Sequence, residues 1–521
     1  LQHPKLGTVE GVDGDVVSFC GLQYATLENR LAEPIVKESY SGTVDATKYG
    51  PTSPNPPGAF QLEMKFIQQN KPDPDYLTSS DTEALNLNIW VPRGQDGELL
   101  PKNLPVYVFT HGGGFVSGSG NSPHYDLTRF VRLSVEKGTP IIGVTINYRL
   151  GILGLLTSQE LRDKSFKANN QLRDQRTAFQ WLKKHISGFG GDPENITASG
   201  ESTGAVETGL HLLSQEPLFC RAYLTGGSPL LMQAAGPELH EHNYRLLMEA
   251  LGLASATPEE RISALLKTPY AELHDKVPMS LAFRPMIDGD VVPFAMTHAV
   301  VQDQESNIPA RRWLKALLIG DCQFDSSSLA ILVGFKKANI ATTLPGILKA
   351  ELGENAATKD LLAAYDINPS KNDETVFGSF LRFSNDVGYF AATHSFALGL
   401  APITHTFAFN EPNPWSGPFQ GQASHVFDIA LLFQNFQEDL RPSQVEAGKQ
   451  MAADVFDFVH GKEPWVTAEN GTMVYGPSFG EPARKVVADR LSAETGRRRA
   501  IIDAGKKIGM DKIVAALDAF M

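Results

Sequence analysis

Five short apolar runs, separated by stretches of helical character, restrict what this chain can fold into. They are Val106-Tyr107-Val108-Phe109, Ile141-Ile142-Gly143-Val144-Thr145, Ile196-Thr197-Ala198-Ser199, Ala316-Leu317-Leu318-Ile319 and Thr406-Phe407-Ala408-Phe409. A strand that is apolar on both faces has to be covered on both faces. Such strands alternating with helices imply an α/β architecture with a large, mostly parallel central sheet flanked by helices. Ahead of them, Thr8-Val9-Glu10-Gly11 and Val16-Val17-Ser18-Phe19 flank the turn signal Asp13-Gly14-Asp15. They predict a small N-terminal antiparallel sheet. Residues 55–75 are rich in Pro, Gln and Asn. They read as a long surface loop, a lid spanning about 52–80. Residues 484–521 read as helical and amphipathic, with Arg497-Arg498-Arg499 on a solvated helix face. No repeat or linker divides the chain, and one domain over 1–521 is expected.

Charge and cysteine usage exclude several function classes. Lys plus Arg total 46 against 59 Asp plus Glu, a net charge of −13. That balance argues against a nucleic-acid partner or an acidic lipid surface. No run of about 18 apolar residues occurs, so no membrane span is expected. Cys20, Cys220 and Cys322 lie far apart and lack metal-ligand spacing. So few cysteines favour a reducing compartment, and a cytoplasmic location is expected, with secretion as the alternative. The opening Leu1-Gln2-His3-Pro4-Lys5 has neither an initiator Met nor an apolar signal region. A preceding segment, removed or left out, is therefore expected.

The segment with most chemical content is Gly200-Glu201-Ser202-Thr203-Gly204. It follows a predicted strand and precedes a helical stretch, residues 205–214. In that context G-x-S-x-G is a strained strand-to-helix turn that exposes the serine hydroxyl at the C-terminal edge of a sheet. Flanking glycines let such a turn pack closely. An ordinary strand-to-helix turn is the alternative reading of the pattern alone. The second signal is His111-Gly112-Gly113-Gly114-Phe115, directly after the strand ending at Thr110. Three glycines after a buried strand leave backbone N–H groups unobstructed, as acyl transfer requires for an oxyanion. The donors are assigned to the backbone of Gly113, Gly114 and Thr203.

With these two signals the chain resembles the type B carboxylesterase and cholinesterase family of α/β-hydrolases. The resemblance extends through Leu85-Asn86-Leu87-Asn88-Ile89-Trp90-Val91-Pro92, Asn147-Tyr148-Arg149-Leu150-Gly151, Asp174-Gln175-Arg176, Phe189-Gly190-Gly191-Asp192-Pro193 and Pro285-Met286-Ile287-Asp288-Gly289. It implies an α/β-hydrolase fold and hydrolysis of a small-molecule ester without cofactor or metal. It also implies a catalytic set of Ser202, Asp325 and His425. His425 lies in Gln422-Ala423-Ser424-His425-Val426-Phe427-Asp428, which is similar to the family's histidine segment. The acid is placed at Asp325 by counting five residues from Gly320, and Asp321 is its rival. The family pattern further implies a buried Arg149–Asp174 ion pair. Glu201, beside the nucleophile, either binds a water or is purely structural.

The departures from the family pattern are informative. Ser53 and Ala84 stand where the family has a disulfide at the base of the lid. Thr203 stands where Ala is usual, and its branched side chain is expected to crowd the acyl site. No Trp occurs in residues 55–80, where cholinesterases carry a cation-binding indole. By offset from Pro285, Met279 and Leu281 occupy the acyl-pocket positions. Neutral esters with short to medium acyl chains are therefore expected over choline esters. Thioester, lactone or amide cleavage and acyl transfer share the same intermediate and stay open. A non-catalytic binding protein, as in the neuroligin branch, is the other alternative. Its relatives have lost the serine, which is present here. Oligomeric state cannot be read from the sequence.

Overall fold

The structure is a computed structural model that describes residues 1–94, 103–278, 280–479, 483–488 and 496–521. Ten strands form its main sheet. In chain order they are β1 (Val16–Gln23), β2 (Asn86–Pro92), β3 (Leu104–Thr110), β4 (Ile142–Ile146), β5 (Gly191–Glu201), β6 (Arg221–Thr225), β7 (Ala316–Cys322), β8 (Thr404–Phe409), β9 (Thr472–Tyr475) and β10 (Arg484–Val487). Their spatial order is β10-β9-β8-β7-β6-β5-β3-β4-β2-β1. The run from β4 through β3, β5, β6, β7 and β8 to β9 is parallel. The two ends of the sheet are antiparallel. A small sheet at the N-terminus pairs Gln2–His3 antiparallel and Val44–Asp45 parallel with Gly7–Glu10, whereas residues 16–19 are not paired with residues 8–11 but lie in the main sheet, within β1.

Alternation along the strands builds two cores, one on each face. Val106 and Val108 of β3 pack with Phe179 and Trp181 of the helix Asn170–His185. Tyr107 and Phe109 point the other way, towards Phe130 of the helix Thr128–Glu136 and Phe456 of the helix Pro442–Val459. Successive side chains of a strand point to opposite faces, so an all-apolar strand must be covered twice. Each buried side chain of this size contributes about 1.5–3 kcal/mol.

Three local expectations change. Residues 59–67, inside the presumed lid loop, form helix α1 (Ala59–Ile67), started by Gly58 at φ 76° and buried through Met64 and Ile67. The base of this segment is closed by backbone hydrogen bonds, Thr52 N to Thr78 O and Ser80 N to Thr52 O, at 2.8 and 3.0 Å. Ser53 accepts from Leu150 N at 3.1 Å, so hydrogen bonds act where the family disulfide is absent. The region read as wholly helical after 484 begins instead with β10. It continues, beyond residues that are not described, in the helices Gly496–Ile508 and Met510–Phe520.

The third correction concerns Arg498, which is not on a solvated face. It is 1% exposed, with Nε 2.9 Å from Asp386 Oδ1 and Nη2 3.6 Å from Asp321 Oδ2. A charge run reads as solvated only until its partners are known, and these lie far away in sequence. Arg149 and Asp174 form the buried ion pair that the family pattern implies, at 2.6 Å.

Candidate active site

The site lies at the C-terminal ends of β5, β7 and β8. Ser202 follows β5 and starts helix α2 (Thr203–Leu210), with φ 56° and ψ −127°. Few non-glycine residues adopt that conformation, and its strain is held by the packing of the turn beneath it. A Cβ on Gly200 would sit 2.2 Å from Gly204 O, and one on Gly204 would sit 2.2 Å from Thr110 O. Only glycine fits at both positions, so the turn is packed directly against the end of β3.

Asp325 lies in the turn after β7 and is fully buried. Its Oδ1 is 2.7 Å from His425 Nδ1, and its Oδ2 accepts from Cys322 N at 2.7 Å. His425 precedes the helix Phe427–Leu432, and its backbone N donates to Ser327 Oγ at 2.9 Å. A backbone bridge between Phe324 and Ser424 holds the two loops side by side. The carboxylate fixes the imidazole with its proton on Nδ1, leaving Nε2 as the basic nitrogen. Nε2 lies 3.1 Å from Glu201 Oε1. The rival Asp321 faces Arg498 instead.

Charge in this buried cluster sets its proton affinities. Burial alone would lower the His425 pKa, but the carboxylates of Glu201, Asp325 and Asp428 outweigh it and raise it to about 9. Burial pushes Glu201 up to about 8, against the pull of His425. Burial and the neighbouring Asp325 raise Asp428 to about 6. Glu201 therefore takes up a proton far more readily than an exposed carboxylate, and its charge is coupled to that of the imidazole.

The glycine loop after β3 faces the serine across a cavity of about 360 Å³, lined by Gly113, Gly114, Ser202, Thr203, Glu201 and His425. Gly113 and Gly114 have φ 114° and 65°, and Phe115 has φ 67°. Thr203 adds a contact that backbone reasoning missed: its Oγ1 accepts from Phe115 N at 3.3 Å, tying α2 to the glycine loop. A hydroxyl in place of the usual alanine methyl was the visible signal for it. Elsewhere the wall is largely apolar, with Phe66, Leu231 and Val387 among its residues.

Of the two presumed acyl-pocket residues, Met279 lies outside the described residues. Leu281 is not brought to the cavity. It packs in a separate apolar cluster with Ile152, Leu153 and Leu156. Counting from Pro285 could not foresee that turn of the chain. Among the described residues no cluster of His, Cys, Asp or Glu is arranged to hold a metal ion. No described helix is long and apolar enough to cross a membrane.

Comparison with known proteins agrees with this architecture. The chain is 32% identical to human neuroligin-2 over 310 residues, 54% of this chain and 36% of the relative. It is 27% identical to Lipase 3 of Yarrowia lipolytica over 477 residues, covering 87% of this chain and 86% of the relative. It thus spans about a third of the first relative and most of the second. A solved PNB esterase superposes with a TM-score of 0.74 at 20% identity, over 96% of this chain and 99% of the other, and so shares the α/β-hydrolase fold. The sequence model of the carboxylesterase family matches residues 3–466. On that match, the chain belongs to the carboxylesterase family.

Proposed function

We propose that this protein is a serine carboxylic-ester hydrolase that cleaves neutral esters through an acyl-enzyme. The observation that carries the reading is the 2.7 Å contact of buried Asp325 with His425, which lines one cavity together with the strained Ser202. In this mechanism His425 Nε2 takes the proton of Ser202 Oγ as the oxygen attacks the ester carbonyl. Asp325 holds the imidazole and stabilises the imidazolium. The N–H groups of Gly113, Gly114 and Thr203 receive the tetrahedral oxyanion. The imidazolium then protonates the departing alcohol, and water hydrolyses the acyl-enzyme by the same steps in reverse.

The substrate class follows from the wall of the cavity. It is mainly apolar, and the segment 55–80 supplies no indole to hold a quaternary ammonium. Neutral esters with short to medium chains fit it best. Thioesters, lactones and amides, and alcohols as acyl acceptors, use the same acyl-enzyme and are separated only by assay.

The test is stoichiometric labelling of Ser202 by a fluorophosphonate with loss of p-nitrophenyl ester hydrolysis. Ser202→Ala should lose about 10³-fold or more of kcat while remaining folded. An active Ser202→Ala variant, or labelling at another residue, overturns the mechanism. Acetylcholine compared with its uncharged isostere tests the substrate class, and preference for the charged ester overturns that part.

A further inference from the structure

The last helix, α8 below, lies beyond residues 3–466 that carry the family match, yet it reaches the reaction cavity. Between α2 and it, the relevant helices are α3 (Ser327–Leu332), α4 (Ile340–Leu352), α5 (Asp373–Asn385), α6 (Pro442–Val459), α7 (Gly496–Ile508) and α8 (Met510–Phe520). Val514, Leu517, Asp518 and the following Met521 line the same cavity as Ser202 and His425. Positions 514, 517, 518 and 521 share one face of a helix at 3.6 residues per turn. An adjoining stripe, Ile513, Ala516 and Phe520, is buried against Leu344 and Leu348 of α4 and Phe380 of α5. One side of α8 therefore seats it in its own core, and the neighbouring side faces the site. Leu329 and Leu332 of α3 line that cavity too.

Charged contacts fix where this wall stands. Arg284 grips Asp518 with two hydrogen bonds, Nη1 to Oδ2 at 3.0 Å and Nη2 to Oδ1 at 3.1 Å. Both residues are themselves on the cavity lining. At the other end of α8, Asp511 accepts from His298 N and Ala299 N at 2.7 and 3.0 Å. Lys336 Nζ donates to Phe520 O at 2.7 Å. A paired, planar guanidinium fixes direction as well as distance. The apolar surface of α8 is thus held at a set separation from the serine by polar groups that are already mutually satisfied.

We propose that α8 is the specificity wall of the site: the apolar chain of the ester lies against Val514, Leu517 and Met521, and the Arg284–Asp518 pair sets the width of the slot. This rests on the serine esterase reading and adds to it the surface that measures chain length. Leu517→Ala removes wall that only a longer chain can reach. Asp518→Asn and Arg284→Gln leave that apolar surface in place and release its position.

The experiment measures kcat/KM for p-nitrophenyl acetate and octanoate, and for the acetates of ethanol and octanol, with wild type and each variant. Thermal unfolding establishes that each variant is folded. For Leu517→Ala the octyl-to-short ratio should fall about tenfold or more in the acyl or the alcohol series. The series that responds identifies the side of the ester that α8 measures. Asp518→Asn and Arg284→Gln should each shift the same ratio, and the double variant should shift it no further than either single one. Folded variants whose ratios stay at the wild-type value in both series overturn the proposal and leave the serine mechanism standing. A wild type that neither reacts with a fluorophosphonate nor hydrolyses p-nitrophenyl acetate overturns the mechanism, and this proposal with it.

Discussion

The hydroxyl of Thr203 accepts a hydrogen bond from the backbone amide of Phe115 at 3.3 Å. The residue proposed as an oxyanion donor through its N–H thereby also uses its side chain to tie α2 to the loop that carries Gly113 and Gly114. The sequence reading treated this side chain as an obstruction to the acyl group. The structure shows it bonded to the glycine loop, where Phe115 is buried and needs an acceptor for its N–H.

Thr203→Val keeps the shape and removes the acceptor. A buried N–H left unpaired costs about 1–3 kcal/mol. If that strain moves the glycine loop, an oxyanion-mimicking inhibitor such as a trifluoromethyl ketone should bind about tenfold more weakly, because 1.4 kcal/mol is a factor of ten. Thr203→Ser should restore binding. Equal affinity in all three proteins would show that the bond does not position the loop.

Asp325→Asn should lower kcat by about 10⁴-fold, because an amide cannot hold the imidazole in the required tautomer. Asp321→Asn should act mainly on stability, since its carboxylate faces buried Arg498 and not the imidazole. Steady-state kinetics together with urea unfolding separates the two. A larger catalytic loss at Asp321 would move the acid there.

Glu201→Gln should shift the pH profile. A negative Glu201 stabilises the imidazolium, so it raises the pKa of His425, which stands at about 9. The base must be neutral to act, so wild-type kcat/KM should climb as pH rises through that pKa. Removing the carboxylate lowers the imidazole pKa, and the rising limb should move to lower pH. Profiles for p-nitrophenyl acetate check this, and an unmoved or alkaline-shifted limb would refute the coupling.

Cys20, Cys220 and Cys322 are all free and buried. Burial pushes the Cys20 thiol up to about 12 and that of Cys322 well above its ordinary value. Iodoacetamide should therefore leave the native protein unmodified. After unfolding without reductant, intact mass should show three alkylated thiols. Fewer than three would reveal an oxidised pair.

Much of this was legible beforehand because it is local. β3, β4 and β7 are largely apolar, and β5 and β8 carry the shorter stretches 196–199 and 407–409; such runs mark strands covered on both sides. The turn at Ser202 and the glycine loop are each written in five consecutive residues. What escaped is what depends on distant partners. β6 reads Arg221-Ala222-Tyr223-Leu224-Thr225, and its polar ends hid a strand that is buried throughout. α1 sits between prolines at 56–57 and 72, and their loop character masked Phe60, Leu62, Met64 and Phe66. Leu281 was placed by counting from Pro285, and the chain turns it into another cluster. Asp325 was found by the same kind of count and does meet His425, because only a short, hydrogen-bonded turn separates it from its strand.

The buried Arg498 ties the timing of assembly to the order of synthesis. Asp321 and Asp386 are made well before it, and its guanidinium meets both in the folded protein. Until residues 496–508 leave the ribosome, the segment leading from β7 to Asp325 has to close over carboxylates that lack this cation. Removing one partner of such a buried group costs about 3–5 kcal/mol. A chain that ends before Arg498 keeps Ser202, Asp325 and His425 but should lose stability on that scale, a cost that thermal unfolding of the truncated protein measures.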